Sequence, residues 1–162
     1  MAFELTAERK QRMAVVIGRY PNKAAACLPV LHLCQEEHGV IDAEVVAYVA
    51  TALDLPPGRV EEVATFYTMY RRKPAGRYHI EICTNLTCSL MGAEHLREVL
   101  AKELGIQPGQ TTRDGMFSLS EVECLASCGT APVLQVNGEF HERLTPDTLR
   151  TLLAELRARG GG

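Results

Sequence analysis

The spacing of apolar residues changes once along this chain, and that change limits its fold more than any other feature. Up to residues 71–77, Arg-Arg-Lys-Pro-Ala-Gly-Arg, apolar positions recur at helical spacing; beyond them, short alternating segments interleave with helical ones. A helical domain over residues 1–73 followed by a mixed domain over 74–162 is expected, α+β in class. In the first part Thr6 can cap a helix running to about Gly18, and Asn22 a second ending at Gly39. Pro29 should kink or restart that second helix. Asp42 can cap a third through about Leu53. Pro56-Pro57-Gly58 can open a fourth, with Val60, Val63, Ala64 and Tyr67 on one face.

In the second part, residues 78–83 (Tyr-His-Ile-Glu-Ile-Cys) alternate as a strand with one buried face does. Residues 91–104 read as a helix ended by Gly105, and 117–122 alternate again. Residues 133–136 lead through Asn137-Gly138 into 139–141, and Asn-Gly between two strand patterns is a strong hairpin signal. Thr145-Pro146-Asp147 has the cap, the proline and the acid that begin a last helix. A crossover helix between the first two strands implies that they pair in parallel, with the hairpin added antiparallel. This order resembles the thioredoxin fold.

Composition removes several functional classes. Apolar residues make up 46% and charged residues 23%, as in a folded chain rather than a disordered one. The net charge of −3 argues against nucleic acid as a partner. All of it arises in the second part, where 8 basic residues face 11 acidic ones, against 9 and 9 in the first. The densest apolar stretch, residues 24–34, is broken by Pro29 and His32 and is too short to span a membrane, so no direct membrane insertion is expected. The first residues lack the apolar run of a signal peptide, which makes a cytoplasmic location the default. There, six cysteines point to metal or redox chemistry rather than to a disulfide framework.

Four of the six form two pairs, Cys83-x4-Cys88 and Cys124-x3-Cys128, each just after a strand pattern. Side chains at the ends of neighbouring strands can converge, and four thiolates are the ligand set of a [2Fe–2S] cluster. The spacings are wider than the knuckle most familiar for one zinc ion. Small residues around Cys128 (Ala126, Ser127, Gly129, Thr130 and Ala131) let backbone come close to such a group. Amides at the start of the helix after Cys83 can face its negative charge. A structural zinc site and buried free thiols are the other readings of these four residues. A thioredoxin-like redox catalyst needs Cys-x-x-Cys, which is absent.

The remaining chemistry is sparse. Cys27 and Cys34 lie two helical turns apart, about 10 Å at 1.5 Å per residue. That exceeds disulfide reach, and they read as core residues. The five histidines form no ligand pair, and Arg71-Arg72-Lys73 reads as a solvated linker or a docking patch for an acidic partner. No phosphate-cradling glycine loop and no nucleophile–base set is present, so electrons must come from and go to another protein or cofactor.

Three stretches carry a family resemblance: Val63-Ala64-Thr65-Phe66-Tyr67-Thr68-Met69-Tyr70, the Cys83-x4-Cys88 pair, and Glu123-Cys124-Leu125-Ala126-Ser127-Cys128-Gly129-Thr130-Ala131-Pro132. Residues 31–39, Leu-His-Leu-Cys-Gln-Glu-Glu-His-Gly, add to it. Together they resemble the small thioredoxin-like [2Fe–2S] subunits of NADH:quinone oxidoreductase, known in mitochondria as the 24 kDa subunit of respiratory complex I. The resemblance implies an N-terminal helical bundle followed by a thioredoxin-like [2Fe–2S] ferredoxin domain. It implies one cluster on Cys83, Cys88, Cys124 and Cys128, near the FMN of a partner flavoprotein that also binds NADH. It further implies docking through the helices of residues 6–70, neighbouring peripheral-arm iron–sulfur subunits, and a place at the inner face of the cell membrane. Small subunits of NAD-linked formate dehydrogenases and NAD-reducing hydrogenases share the pattern. A stand-alone ferredoxin and a zinc-stabilised interaction module are the readings outside such complexes.

Overall fold

The computed structural model describes residues 3–160. The chain divides into two compact units at the Pro74–Ala75 bond.

The first unit is helical: α1 (Ala7–Ile17), a 3-10 turn (Lys23–Ala26), α2 (Cys27–His38), α3 (Ala43–Leu53) and α4 (Pro57–Phe66). Caps act where the sequence places them. Thr6 Oγ1 accepts from Arg9 N–H, Asn22 from Ala25 N–H and Asp42 from Val45 N–H, each satisfying an amide that has no partner within its helix. Gly39 ends α2 in the left-handed region at φ 82°, which glycine adopts without a Cβ clash. The second helix does restart. Asn22 caps only the 3-10 turn, and α2 begins at Cys27, which puts Pro29 in its first turn, where no amide donor is needed. The core joins Val30, Leu31 and Cys34 from α2, Val45, Val49 and Leu53 from α3, and Val60 and Ala64 from α4. Tyr70 closes it, its hydroxyl donating to the Leu28 carbonyl at 2.9 Å.

Arg72 has a definite structural role and is not a solvated linker residue. Its guanidinium donates to the Ile41 carbonyl at 2.6 Å and pairs with Glu61 at 2.5 Å, tying the end of the unit to the α2–α3 turn and to α4.

The second unit holds β1 (Tyr78–Cys83), α5 (Leu86–Leu90), α6 (Ala93–Leu104), β2 (Gln110–Thr111), β3 (Phe117–Val122), β4 (Leu134–Val136), β5 (Glu139–His141) and α7 (Pro146–Gly160). Among the described residues the five strands form one sheet in the order β2-β3-β1-β4-β5. β1 and β3 pair in parallel, from Tyr78 opposite Phe117 to Cys83 opposite Val122; β4 pairs antiparallel with β1 and with β5. Ile80, Ile82, Phe117, Leu119, Leu134 and Val136 pack with Leu96 and Leu100 of α6 and Leu149 and Leu153 of α7. The sequence reading differs in two places. The helix expected over 91–104 is α6, which begins at Ala93 after Gly92 at φ 97°, and the short α5 before it was not anticipated. The two-residue β2 was not anticipated, because two residues carry no period.

Candidate metal centre

The parallel β1–β3 ladder runs toward the cysteines. Cys83 is the last residue of β1, and Cys124 lies two residues past the end of β3. Both first-pair thiols are buried, in a small cluster with Ala93 and Val133 that Val122, Leu125 and Ala131 cover. Cys88 sits in α5, a five-residue helix entered through Asn85, whose side chain accepts from Leu86 N–H at 2.7 Å. Thr84 N–H donates to the Val122 carbonyl at 3.0 Å, and Ser89 Oγ to the Thr84 carbonyl at 3.0 Å, so the turn between Cys83 and Cys88 is anchored at both ends.

Burial pushes the Cys88 thiol up, the neighbouring Cys83 thiol adds to this, and the Val133 backbone opposes it. The charge of Cys128 also reaches Cys88. Cys83 Sγ lies 3.9 Å from the Glu123 carbonyl, the peptide group that leads into Cys124. The Cys83 sulfur thus borders the loop of the second pair.

That second loop has another character. Cys124 and Cys128 are exposed. Ala126 takes a left-handed φ of 56°, which turns its N–H to Cys124 Sγ at 3.3 Å. A short 3-10 turn, Cys128–Thr130, follows, and the Ala131–Pro132 peptide bond is cis. Beyond β5, Glu142 accepts from the hydroxyls of Ser127 and Thr130, and bonds from Ser127 and then Thr130 hold its carboxyl below the usual glutamate range.

The donor set fits a [2Fe–2S] group. It is all sulfur, and one backbone amide already points at a sulfur, which suits an anionic thiolate cluster. That amide comes from Ala126 rather than from the first residue of α5, whose Leu86 N–H is taken by Asn85. Among the described residues no three His, Cys, Asp or Glu side chains form a group that could hold a metal ion. One zinc ion needs its donors within about 2.3 Å of a single point. Here the two loops meet through the Cys83 thiol and the Glu123 carbonyl, and the four sulfurs do not form one closed group.

The other candidates make local contacts within their own units. All six cysteines are free; Cys27 and Cys34 are buried in the helical core, where burial pushes the Cys34 thiol up to about 12. His38 pairs with Asp42 at 2.9 Å, His79 meets Ser118 at 2.7 Å and His32 meets the Met69 sulfur at 3.0 Å, each a local contact. Glu142 escaped the sequence reading because no local pattern links it to a loop some fifteen positions away.

Comparison with known proteins gives the family. The NADH-quinone oxidoreductase subunit lettered E in Mycobacterium tuberculosis is 42% identical over 143 residues, covering 88% of this chain and 57% of that protein. The chain thus spans little more than half the length of its mycobacterial relatives. NADH-quinone oxidoreductase subunit 2 of Thermus thermophilus is 42% identical over 154 residues, 93% of this chain and 85% of that protein. Among solved structures, a NAD+-reducing [NiFe]-hydrogenase in the air-oxidized state matches 82% of this chain and 23% of its own, with a TM-score of 0.72 and 28% identity. Residues 13–157 match the family profile described as thioredoxin-like [2Fe-2S] ferredoxin. With that span, those relatives and two sulfur-bearing loops meeting at one end of the sheet, the chain belongs to the thioredoxin-like [2Fe–2S] ferredoxin family.

Proposed function

We propose that this chain is an electron-transfer subunit of an NADH-oxidising complex, and that Cys83, Cys88, Cys124 and Cys128 hold one [2Fe–2S] cluster. The observation that carries the reading is the contact of the buried Cys83 thiol with the Cys124–Cys128 loop, where the Ala126 amide turns to the Cys124 sulfur. When bound, the cluster supplies the capacity to take up and release one electron. The chain's own residues orient the thiolates and shield the first pair from water; the amide favours the charged form of its sulfur. No substrate-transforming set accompanies them, so donor and acceptor belong to neighbouring subunits.

NADH:quinone oxidoreductase is the parent complex best supported, because the 41–42% identical relatives carry that name. The partner is then a flavoprotein subunit binding FMN and NADH, with further iron–sulfur subunits alongside. Among the described residues no helix is long and apolar enough to cross a membrane, so attachment at the inner face of the cell membrane would come through other subunits. The likeness to a NAD+-reducing hydrogenase supports a second reading, a subunit of such an enzyme.

The test is a native purification. The expected product is a red-brown assembly whose visible absorption bleaches on reduction, with a one-electron paramagnetic signal and a flavoprotein in stoichiometric amount. Hydrogenase activity in that assembly would favour the second reading. Colourless protein with one zinc per chain would overturn both. Cys124→Ser should lower iron content sharply, whereas Cys34→Ala should leave it near parental.

A further inference from the structure

Packing does little to hold the Cys124–Cys128 loop. Its two cysteines are exposed, and residues 123–127 belong to no helix or strand. What holds it comes from the strap after β5. The Ser127 hydroxyl donates to Glu142 Oε1, and the Thr130 hydroxyl reaches the same oxygen at 2.5 Å; the two hydroxyls are 2.7 Å apart. Arg143 N–H donates to the Thr130 carbonyl at 2.8 Å, and Leu144 N–H to the Pro132 carbonyl at 3.2 Å. Arg143 takes a left-handed φ of 49° within this strap. The strap then runs into α7, whose Leu149 and Leu153 are buried in the core. The strap thereby ties α7 to a loop whose other bonds are mostly within itself.

We infer that Glu142 is a positioning residue for the second cysteine loop: by accepting from Ser127 and Thr130, on either side of Cys128, it fixes Cys128 in place to serve as a ligand. This inference rests on the cluster reading proposed above. Hydroxyl bonds to a carboxylate are charge-assisted and short, and partners behind a metal ligand orient it. The Glu142 carboxylate is exposed, so water screens its charge, and its contribution is the acceptor oxygen. An amide oxygen at the same place can accept both bonds. Glu142→Gln should therefore keep the clasp, and Glu142→Ala should open it.

The experiment uses the full cluster-loaded chain. Iron release to a chelator is followed by loss of visible absorption, and the reduced protein is examined by electron paramagnetic resonance. Glu142→Ala is expected to release iron about 10-fold faster, the lower end of the usual effect of removing such a partner, with a broadened signal. Glu142→Gln is expected to stay near parental. Ser127→Ala with Thr130→Val should reproduce the alanine variant, and adding Glu142→Ala to that pair should change nothing more. Parental release and an unaltered signal in Glu142→Ala would overturn the clasp, as would additive losses in the combined variant. Thermal unfolding of the iron-free chains separates position from stability: an equal melting loss in Glu142→Ala and Glu142→Gln, without rescue of iron retention by glutamine, also counts against it. A parent chain that holds no iron would sink the cluster reading and the clasp with it.

Discussion

Gly76 enters β1 where the chain has no room for a side chain. A Cβ there would stand 2.5 Å from the Phe117 carbonyl carbon, 2.8 Å from Ser118 N and 2.9 Å from Phe117 Cα. All three are backbone atoms of β3, so no rotamer change relieves the clash. Restoring ordinary contact near 3.4 Å opens the strands by close to 0.9 Å at this point. Two hydrogen bonds lie beside it, Arg77 N–H to the Gly115 carbonyl at 2.9 Å and Tyr78 N–H to the Met116 carbonyl at 2.8 Å. Stretched by that amount, both pass beyond hydrogen-bond length. At about 0.5–1.5 kcal/mol each, their loss costs about 1–3 kcal/mol, which matches the usual cost of overpacking. Gly76→Ala should thus lower the urea midpoint of the second unit by about 1 M, given a slope of about 1–3 kcal/mol/M for small domains. The amides of Arg77 and Tyr78 should lose protection from hydrogen exchange. Cys83, at the far end of β1, lies about 23 Å from Gly76 at strand rise, so the visible spectrum of the loaded protein should not change. An unchanged midpoint with both amides still protected would refute the reasoning.

Three further perturbations test other parts. Ala126→Gly should slow iron release, since it relieves a left-handed alanine costing about 1 kcal/mol, whereas Ala126→Val should speed it; the reverse order would deny that this turn is strained. Asp42→Ala should cost about 1 kcal/mol at pH 7 as a lost helix cap. The Val45 amide first, and then His38, hold the Asp42 carboxyl below its usual value, so its contribution is present above about pH 4 and fades as pH falls through the lowered value. Thermal melts of parent and variant should therefore converge at low pH. In the native iron-free protein Cys34 should resist alkylation, since a thiol moved from 9.0 to about 12 has a thousandfold smaller thiolate fraction, while Cys124 should label readily. Mass spectrometry showing equal rates would contradict the burial argument.

Much of the second unit can be read locally. The alternation of residues 78–83 and 117–122, the Asn137-Gly138 turn and the Thr145-Pro146-Asp147 start each lie within a few residues, and the strands, hairpin and α7 form there. The same holds for the caps at Thr6, Asn22 and Asp42. Local signals mislead where they compete with packing. The helical period from Met91 does lead into α6, but the five-residue α5 that carries Cys88 is too short to show a period of its own. Arg72 looks like part of an exposed basic run until its bonds to Ile41 and Glu61 are formed.

What the amino-acid order determined by itself is the change of apolar period, the helix ends and the presence of four thiols in two short loops. These depend on residues close in the chain, where spacing and side-chain type fix the local options. Tertiary structure alone decided that Cys83 borders the peptide before Cys124 and that Glu142 grips Ser127 and Thr130. Those contacts depend on the parallel register of β1 with β3 and on the path of the chain after β5. Such long-range geometry is set by how whole elements pack, and no short stretch of sequence contains it.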